Sequence, residues 1–208
     1  MAYILILGDS HIPRRAKSIP EKLKIKILSL SEDRNFDHIL FTGDLIKAPK
    51  LIEFLMSRSN QGVYTVLGNM DYYEGKRDLP VYLEIKLDFP ENKNLVIGLT
   101  HGANIKPRGD KSQLESLAQS KGCNILVSGH THKEEIFLSP KGILLINPGS
   151  CTGAWSFIAS QIPSFVTIDT KENQNDFKVI LYQLETFNDN FNIIPFDFTF
   201  SNNKIRFL

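Results

Sequence analysis

Cysteine is scarce in this chain. Cys123 and Cys151 are its two representatives among 208 residues, too few for a disulfide framework and without the C-x-x-C spacing of a structural zinc site or redox dithiol. Such usage fits a reducing, intracellular compartment, and both thiols are expected to act as small buried hydrophobes. Long apolar runs are missing as well: nothing approaches the roughly 20 residues that a bilayer-spanning helix requires. Residues 1–7 are apolar but carry neither the basic leader nor the small-residue cleavage site of a secretory signal. The expectation is a soluble, cytoplasmic protein. Charge of one sign is lacking too, since 24 Lys and Arg face 23 Asp and Glu for a formal net charge of +1. That balance provides no general pull toward nucleic acid or anionic membrane, so a membrane could be reached only indirectly, through a complex. No GxGxxG follows the first apolar run, which removes the fingerprint of a dinucleotide site.

What remains is an ordinary globular composition, 42% hydrophobic and 23% charged, in a chain short enough for one continuous core. Residues 4–7, 38–41 and 63–67 read as apolar strands. Between them lie two helical patterns, one opened by Ser18, Pro20 and Glu21 as a capping box and running to about residue 30, the other over 50–57 with Leu51, Phe54 and Leu55 on one face. This alternation predicts parallel pairing. Residues 95–99 and 125–127 repeat the scheme around a helix begun by Asp110 and Gln113. From Glu135 onward the short strands 136–138, 143–146, 165–168 and 179–184, separated by Gly, Pro or polar breaks, predict antiparallel hairpins. The fold class expected is α/β, two mixed β-sheets packed face to face and flanked by helices in four layers. The domain is expected over 1–187, with 188–208 an edge strand or a tail.

The chemistry sits in five turns, each following an apolar strand: Gly8-Asp9-Ser10-His11, Gly43-Asp44, Gly68-Asn69-Met70-Asp71, His101-Gly102 and Gly129-His130-Thr131-His132. In open α/β sheets ligand sites lie beyond the carboxyl ends of the strands, so these turns should converge. Four of the five histidines fall in them; His38, at the start of a strand, is set aside as structural. Carboxylate, imidazole and amide donors without thiolate suit Mn, Fe, Zn or Ni. Arg14 and Arg15, just past the first turn, are phosphate-binding candidates, although paired basic residues in a loop are more often solvated. Gly8-Asp9-Ser10 also looks like the opening of a serine lipase, but that chemistry needs a positioned imidazole near the C-terminus, and the last histidine is His132. Trp155 and Phe157 suit core packing and an interface equally.

In order and spacing these blocks resemble those of the calcineurin-like metallophosphoesterases. The resemblance implies two divalent cations, one held by Asp9, His11, Asp44 and His132 and the other by Asp44, Asn69, His101 and His130, with Asp44 as the bridge. It also implies hydrolysis of a phosphodiester by a hydroxide activated between cations about 3.5 to 4 Å apart. Where the larger family has a catalytic histidine this chain has Met70. A thioether cannot donate a proton, and loss of such a group costs about 10²- to 10⁴-fold in rate. No catalytic side chain is therefore assigned beyond the metal set.

Outside the metal blocks, residues 5–13, 18–20, 128–133, 146–150, 152–154, 162–166 and 182–184 are similar to the retromer-subunit branch of the same family. That likeness implies a vacuolar or endosomal protein-sorting subunit whose metal face docks on an α-solenoid partner and which reaches endosomal membranes through that complex. Animal members of the branch exchange the bridging Asp and the Asn ligand; Asp44 and Asn69 stand as in the enzymes. The expectation is a retromer-type subunit that keeps its two-metal site, with an active metal-dependent phosphodiesterase as the alternative. The branch's regulator-binding patch would map to Ile105, Lys106, Pro107, Arg108 and Thr167, where charges make poor apolar anchors.

Overall fold

The computed structural model describes residues 1–89, 93–170, 175–185 and 190–208. Its first part is β1 (Tyr3–Leu7), α1 (Glu21–Leu30), β2 (His38–Phe41), α2 (Pro49–Met56), β3 (Val63–Thr65) and a short α3 (Asn69–Tyr73). There follow β4 (Tyr82–Phe89), β5 (Lys93–Thr100), α4 (Lys111–Lys121) and β6 (Ile125–Val127). The chain ends with β7 (Glu135–Leu138), β8 (Leu144–Asn147), β9 (Ser164–Thr170), β10 (Asp176–Glu185), β11 (Asn190–Ser201) and β12 (Lys204–Phe207). The strands form two mixed sheets, ordered β12-β11-β10-β9-β1-β2-β3 and β4-β5-β6-β8-β7.

Strand periodicity explains the layering. Successive side chains leave a strand on opposite faces, and in β1 Ile4 and Ile6 enter the core between the sheets while Leu5 and Leu7 pack on the other side. That second face is covered by Leu23 and Ile27 of α1 and Leu51 and Leu55 of α2. On the smaller sheet, Ile125 and Val127 point inward, whereas Leu126 and Leu145 pack with Leu114 and Ala118 of α4. Both faces of the central strands are thus dry, which is why they read as unbroken apolar runs. The result is four layers, helix on sheet on sheet on helix.

Several expectations are corrected by the structure. Ser18 does not cap α1: Pro20 holds the N-cap position in an extended conformation with no side-chain hydrogen bond, so the fixed proline φ sets the start by itself. At α4 Asp110 does accept from the Gln113 backbone N–H at 2.8 Å, but the Gln113 side chain turns to the Lys106 carbonyl instead of closing a box. The C-terminal half is not uniformly antiparallel. β8 pairs antiparallel with β7 yet parallel with β6, and β9 returns to lie antiparallel beside β1. Strand β4 is an addition to the expected elements: Ile85, Leu87 and Phe89 alternate with polar residues in the period of an edge strand.

The boundary expected at residues 187 and 188 lies outside the described residues. Beyond it, β11 pairs with β10 and β12 with β11, and Phe198, Phe200 and Ile205 enter the core between the sheets. Phe200 meets Phe89 edge to face at 5.6 Å, so the last strand pair closes one end of the sandwich. Phe200→Ala is accordingly expected to cost about 3–5 kcal/mol, read as a lowered urea midpoint, while Phe207→Ala, at a residue 60% exposed, stays within about 1 kcal/mol. Equal shifts for the two variants would mean that this segment contributes nothing specific to the core.

Candidate metal centre

The carboxyl ends of β1, β2, β5 and β6 and the turn after β3 deliver their side chains to one place. They do so through strained backbone: Asp9, His11, Asp44, His130 and His132 all have positive φ, between 48° and 69°. Each such residue costs on the order of 1–3 kcal/mol and persists only where its surroundings over-determine it. Part of that determination is close approach between turns. At Gly68 an added Cβ would fall 2.0 Å from Asp44 Oδ1, and at Gly129 it would fall 2.6 Å from Asp9 Oδ2. These glycines act chiefly by letting one ligand loop lie against the next.

The donor atoms converge in two overlapping groups, Asp9 with His11 and His132, and Asp9 with Asp44 and His101; within each group the ligand atoms lie within 4.8 Å of one another. The Oδ2 atom of Asp44 sits between the groups, 3.4 Å from His11 Nε2 and 3.5 Å from His101 Nε2. Its Oδ1 accepts the Met70 backbone N–H at 2.7 Å. Asn69 Oδ1 stands 3.0 Å from His101 Nε2, and His130 Nδ1 stands 3.2 Å from the same atom. A cavity of about 40 Å³ opens on this cluster, lined by His11, Asp44, Asn69, Met70, His130 and His132 together with Arg15 and Arg108.

Hydrogen bonds behind the rings decide which nitrogens face inward. The Nδ1 of His101 lies 2.8 Å from the Thr42 carbonyl and that of His132 lies 2.9 Å from the Ala154 carbonyl. A carbonyl can only accept, so each Nδ1 carries its proton, and a neutral ring then points an Nε2 lone pair into the cluster. There the His132 Nε2 meets His11 Nε2 at 3.0 Å and Asp9 Oδ1 at 3.4 Å. Asp9 Oδ1 and His11 Nδ1 are buried without a hydrogen-bond partner. Acceptors crowded against acceptors in a dry site call for a cation, and these Asp and His groups could hold a divalent metal.

Electrostatics agree with that assignment. Burial pushes the imidazole of His11 down to about 3, against the pull of Asp9, and that of His130 down to about 4. Both rings are therefore neutral at physiological pH, as ligands must be. Burial, opposed by His101 and reinforced by Asp9, lifts Asp44 to about 6. For Asp9 burial is outweighed by the adjacent His132, His101 and His11, which hold the carboxyl below its usual range. His132 is moved upward, because Asp9 and the Ala154 carbonyl overcome its burial. A carboxylate that is costly to ionise alone is one that a cation would stabilise strongly.

Three supporting residues were not singled out in the sequence. Asp71, fully buried, accepts the backbone N–H of Ile46 at 2.8 Å and those of Leu45 and Gly68 at 3.3 Å, tying the Asp44 turn to the Asn69 turn. Ser150 donates to the Asp9 carbonyl at 2.8 Å. Asn147 donates to the Gly129 carbonyl at 3.0 Å. Asp71 lies three residues from Gly68, where a helix N-terminus wants an acceptor; Asn147 and Ser150 fall in the stretch 146–150, whose likeness to the retromer-subunit branch implies no role for them.

The remaining expectations separate cleanly. Arg15 lines the cavity and donates to the Trp155 carbonyl at 2.6 Å, whereas Arg14 forms an ion pair with Glu74. Of the residues mapped to the regulator patch, Ile105 and Thr167 are buried and Arg108 lines the cavity, which leaves Lys106 and Pro107 exposed. Ser10 donates to the Leu45 carbonyl, a structural bond that disposes of the lipase reading. His38 packs on Tyr64. Burial raises both thiols, and Cys123 and Cys151 are buried. Trp155 and Phe157, 52% and 80% exposed, belong to the surface and not to the core.

With this geometry in view, comparison with known proteins places the chain. A family model for the calcineurin-like phosphoesterase superfamily domain matches residues 3–173, and the chain belongs to that superfamily. It is 33% identical over 147 residues to a probable metallophosphoesterase of Methanocaldococcus jannaschii, covering 71% of this chain and 67% of the relative. Among solved structures it is similar to Vacuolar Protein Sorting 29 from Cryptosporidium parvum, with a TM-score of 0.80, 28% identity and coverage of 95% and 98% of the two chains. A wild-type Vps29 from Entamoeba histolytica complexed with Zn²⁺ is likewise similar, with a TM-score of 0.77 at 28% identity and coverage of 94% and 98%.

If Asp71 positions the two ligand turns, Asp71→Ala should weaken Mn²⁺ binding by about 10- to 100-fold without changing the number of ions bound at saturation. Calorimetric titration reads both quantities. Unaltered affinity would show that the turns keep their form without this carboxylate.

Proposed function

We propose that this chain is a retromer-type protein-sorting subunit that keeps a two-cation site and docks its site-bearing face on an α-solenoid partner. The observation that carries the reading is the exposed apolar group beside the cavity. Trp155, Phe157 and Ile158 are 52%, 80% and 44% exposed, the two rings meet at 5.1 Å, and Arg15 binds the Trp155 carbonyl. Aromatic residues clustered on a surface and flanked by arginine are the usual composition of an interface centre. The likeness to Vps29 chains along nearly the whole length supports the same view. Localisation follows from the partner: the subunit works in the cytoplasm and reaches endosomal membranes through the complex, and among the described residues no helix is long and apolar enough to cross a membrane.

In this reading Asp9, His11, Asp44 and His132 hold one divalent ion and Asp44, Asn69, His101 and His130 the other, with Mn, Zn, Fe or Ni all compatible with the donors. A specific observation favours a second reading. The bridging carboxylate and the amide ligand are both retained, and the donors are preoriented from behind by backbone carbonyls, an investment that a pure scaffold does not need. The same cavity then serves a metal-dependent phosphodiesterase, in which bound cations supply an activated water and clamp phosphoryl oxygens. Arg15 and Arg108 are placed to hold the anionic substrate.

The two readings diverge in experiment. The paired variant Trp155→Asp and Phe157→Asp should lower affinity for the co-expressed helical-repeat partner by at least about 30-fold while leaving Mn²⁺ binding intact; unchanged co-elution would remove the docking proposal. Purified chain with Mn²⁺ should hydrolyse bis(4-nitrophenyl) phosphate if the second reading holds, and Asp44→Asn should abolish that turnover. Absence of metal-dependent turnover in the unaltered chain would remove the enzyme reading.

A further inference from the structure

A second, larger cleft adjoins the metal centre. It encloses about 530 Å³, shares Asn69 and His101 with the cluster, and has Tyr72, Tyr73 and Val81 in its wall. Tyr72 and Tyr73 lie three and four residues after Asn69 on α3, so the helix presents all three toward the same side. The two rings meet edge to face at 6.1 Å, and they remain 47% and 77% exposed, with Val81 68% exposed. No carboxylate is among the described residues that line this cleft, and Lys121 adds a positive charge. Tyr73 is largely exposed, and the Arg77 guanidinium lies 5.2 Å from the centre of the Tyr72 ring; in a cleft of the size that takes a small organic ligand, the pair offers stacking faces that the core does not use.

Met70 narrows what can occupy the cleft. Hydrolysis of a phosphodiester joins the water oxygen to phosphorus, breaks the bond from phosphorus to the leaving oxygen with its electron pair retained on that oxygen, and releases the proton of water to solvent. With a thioether at position 70, on the wall of the small cavity, that position provides no proton for the departing oxygen. Rapid departure then requires an oxygen of low pKa. Aryl oxides and the phosphate of a nucleotide anhydride share that property, and both carry a planar aromatic ring.

We infer that the Tyr72–Tyr73 cleft is the subsite for the leaving half of the substrate, and that this half is an aromatic ring joined through a low-pKa oxygen, as in an aryl ester or a nucleotide anhydride. The inference rests on the phosphodiesterase reading of the adjacent centre. It is tested by binding, independently of turnover. Titration calorimetry of the Mn²⁺-loaded chain would compare AMP, 4-nitrophenyl phosphate and methyl phosphate, which share the phosphate and differ in the ring.

A stacked ring should tighten binding about 10-fold over methyl phosphate. The double variant Tyr72→Ala and Tyr73→Ala should reduce that preference to about 2-fold or less, and Tyr72→Phe with Tyr73→Phe should keep it, because the faces and not the hydroxyls do the binding. Preference for AMP alone would identify the nucleotide source, and preference for both ring-bearing ligands an aryl site of broader scope. Equal affinity for all three, or a preference that survives the alanine pair, would overturn the inference. Failure of the enzyme reading shows separately, as absent hydrolysis of bis(4-nitrophenyl) phosphate.

Discussion

Five residues of the candidate metal centre held in left-handed backbone conformation are the constraint on which this structure turns. Each of Asp9, His11, Asp44, His130 and His132 occupies a region that L-residues avoid, and the combined cost is comparable with the whole stability of an ordinary domain, about 5–15 kcal/mol. Such geometry survives only on a rigid base. The base is the pair of sheets, whose central strands are buried on both faces and therefore cannot slip by one residue without moving an entire apolar set into the wrong layer. Strand register and ligand placement are the same fact seen at two ends of the strand.

A second level of restraint lies behind the ligands. Asp71 joins the Asp44 and Asn69 turns, Ser150 joins the first turn to the loop after β8, and Asn147 holds the Gly129 carbonyl. Backbone carbonyls at Thr42 and Ala154 fix which nitrogen of His101 and His132 is free. These bonds make the donor set a property of several loops acting together, and no single loop would keep its form if cut out.

The site also explains why one fold can be read as scaffold and as catalyst. A cluster of Asp, His and Asn donors in a small cavity with two arginines at its wall, together with exposed aromatic residues, has a chemistry that suits either proposed role: polar charge at the centre, apolar contact around it. Trp155 and Phe157 lie on the loop between β8 and β9, whereas Tyr72 and Tyr73 lie on α3. The two aromatic groups are thus separate elements, and they can be altered independently.

Most of the architecture was legible in the linear order of residues, because apolar runs with period two and turns rich in glycine report local preferences directly. The ligand turns were legible for the same reason: each follows its strand at once, so chemistry and position were written side by side. Two items escaped. Strand β4 is an edge strand whose Ile85, Leu87 and Phe89 alternate with charged residues, a weaker mark than the unbroken apolar runs of the central strands, and the parallel pairing of β8 with β6 depends on partner choice between distant strands, which leaves no local trace. Arg108, assigned by likeness to a remote patch, stands at the metal cavity for a comparable reason. The sequence by itself determined which residues are candidate ligands, which faces are apolar and where the turns fall, all properties of neighbours within a few residues. Only tertiary structure decided which lone pairs meet, which arginines reach the cavity and which aromatics stay exposed, since these depend on distances between segments far apart in the chain, from 29 residues for His101 and His130 to 121 for His11 and His132.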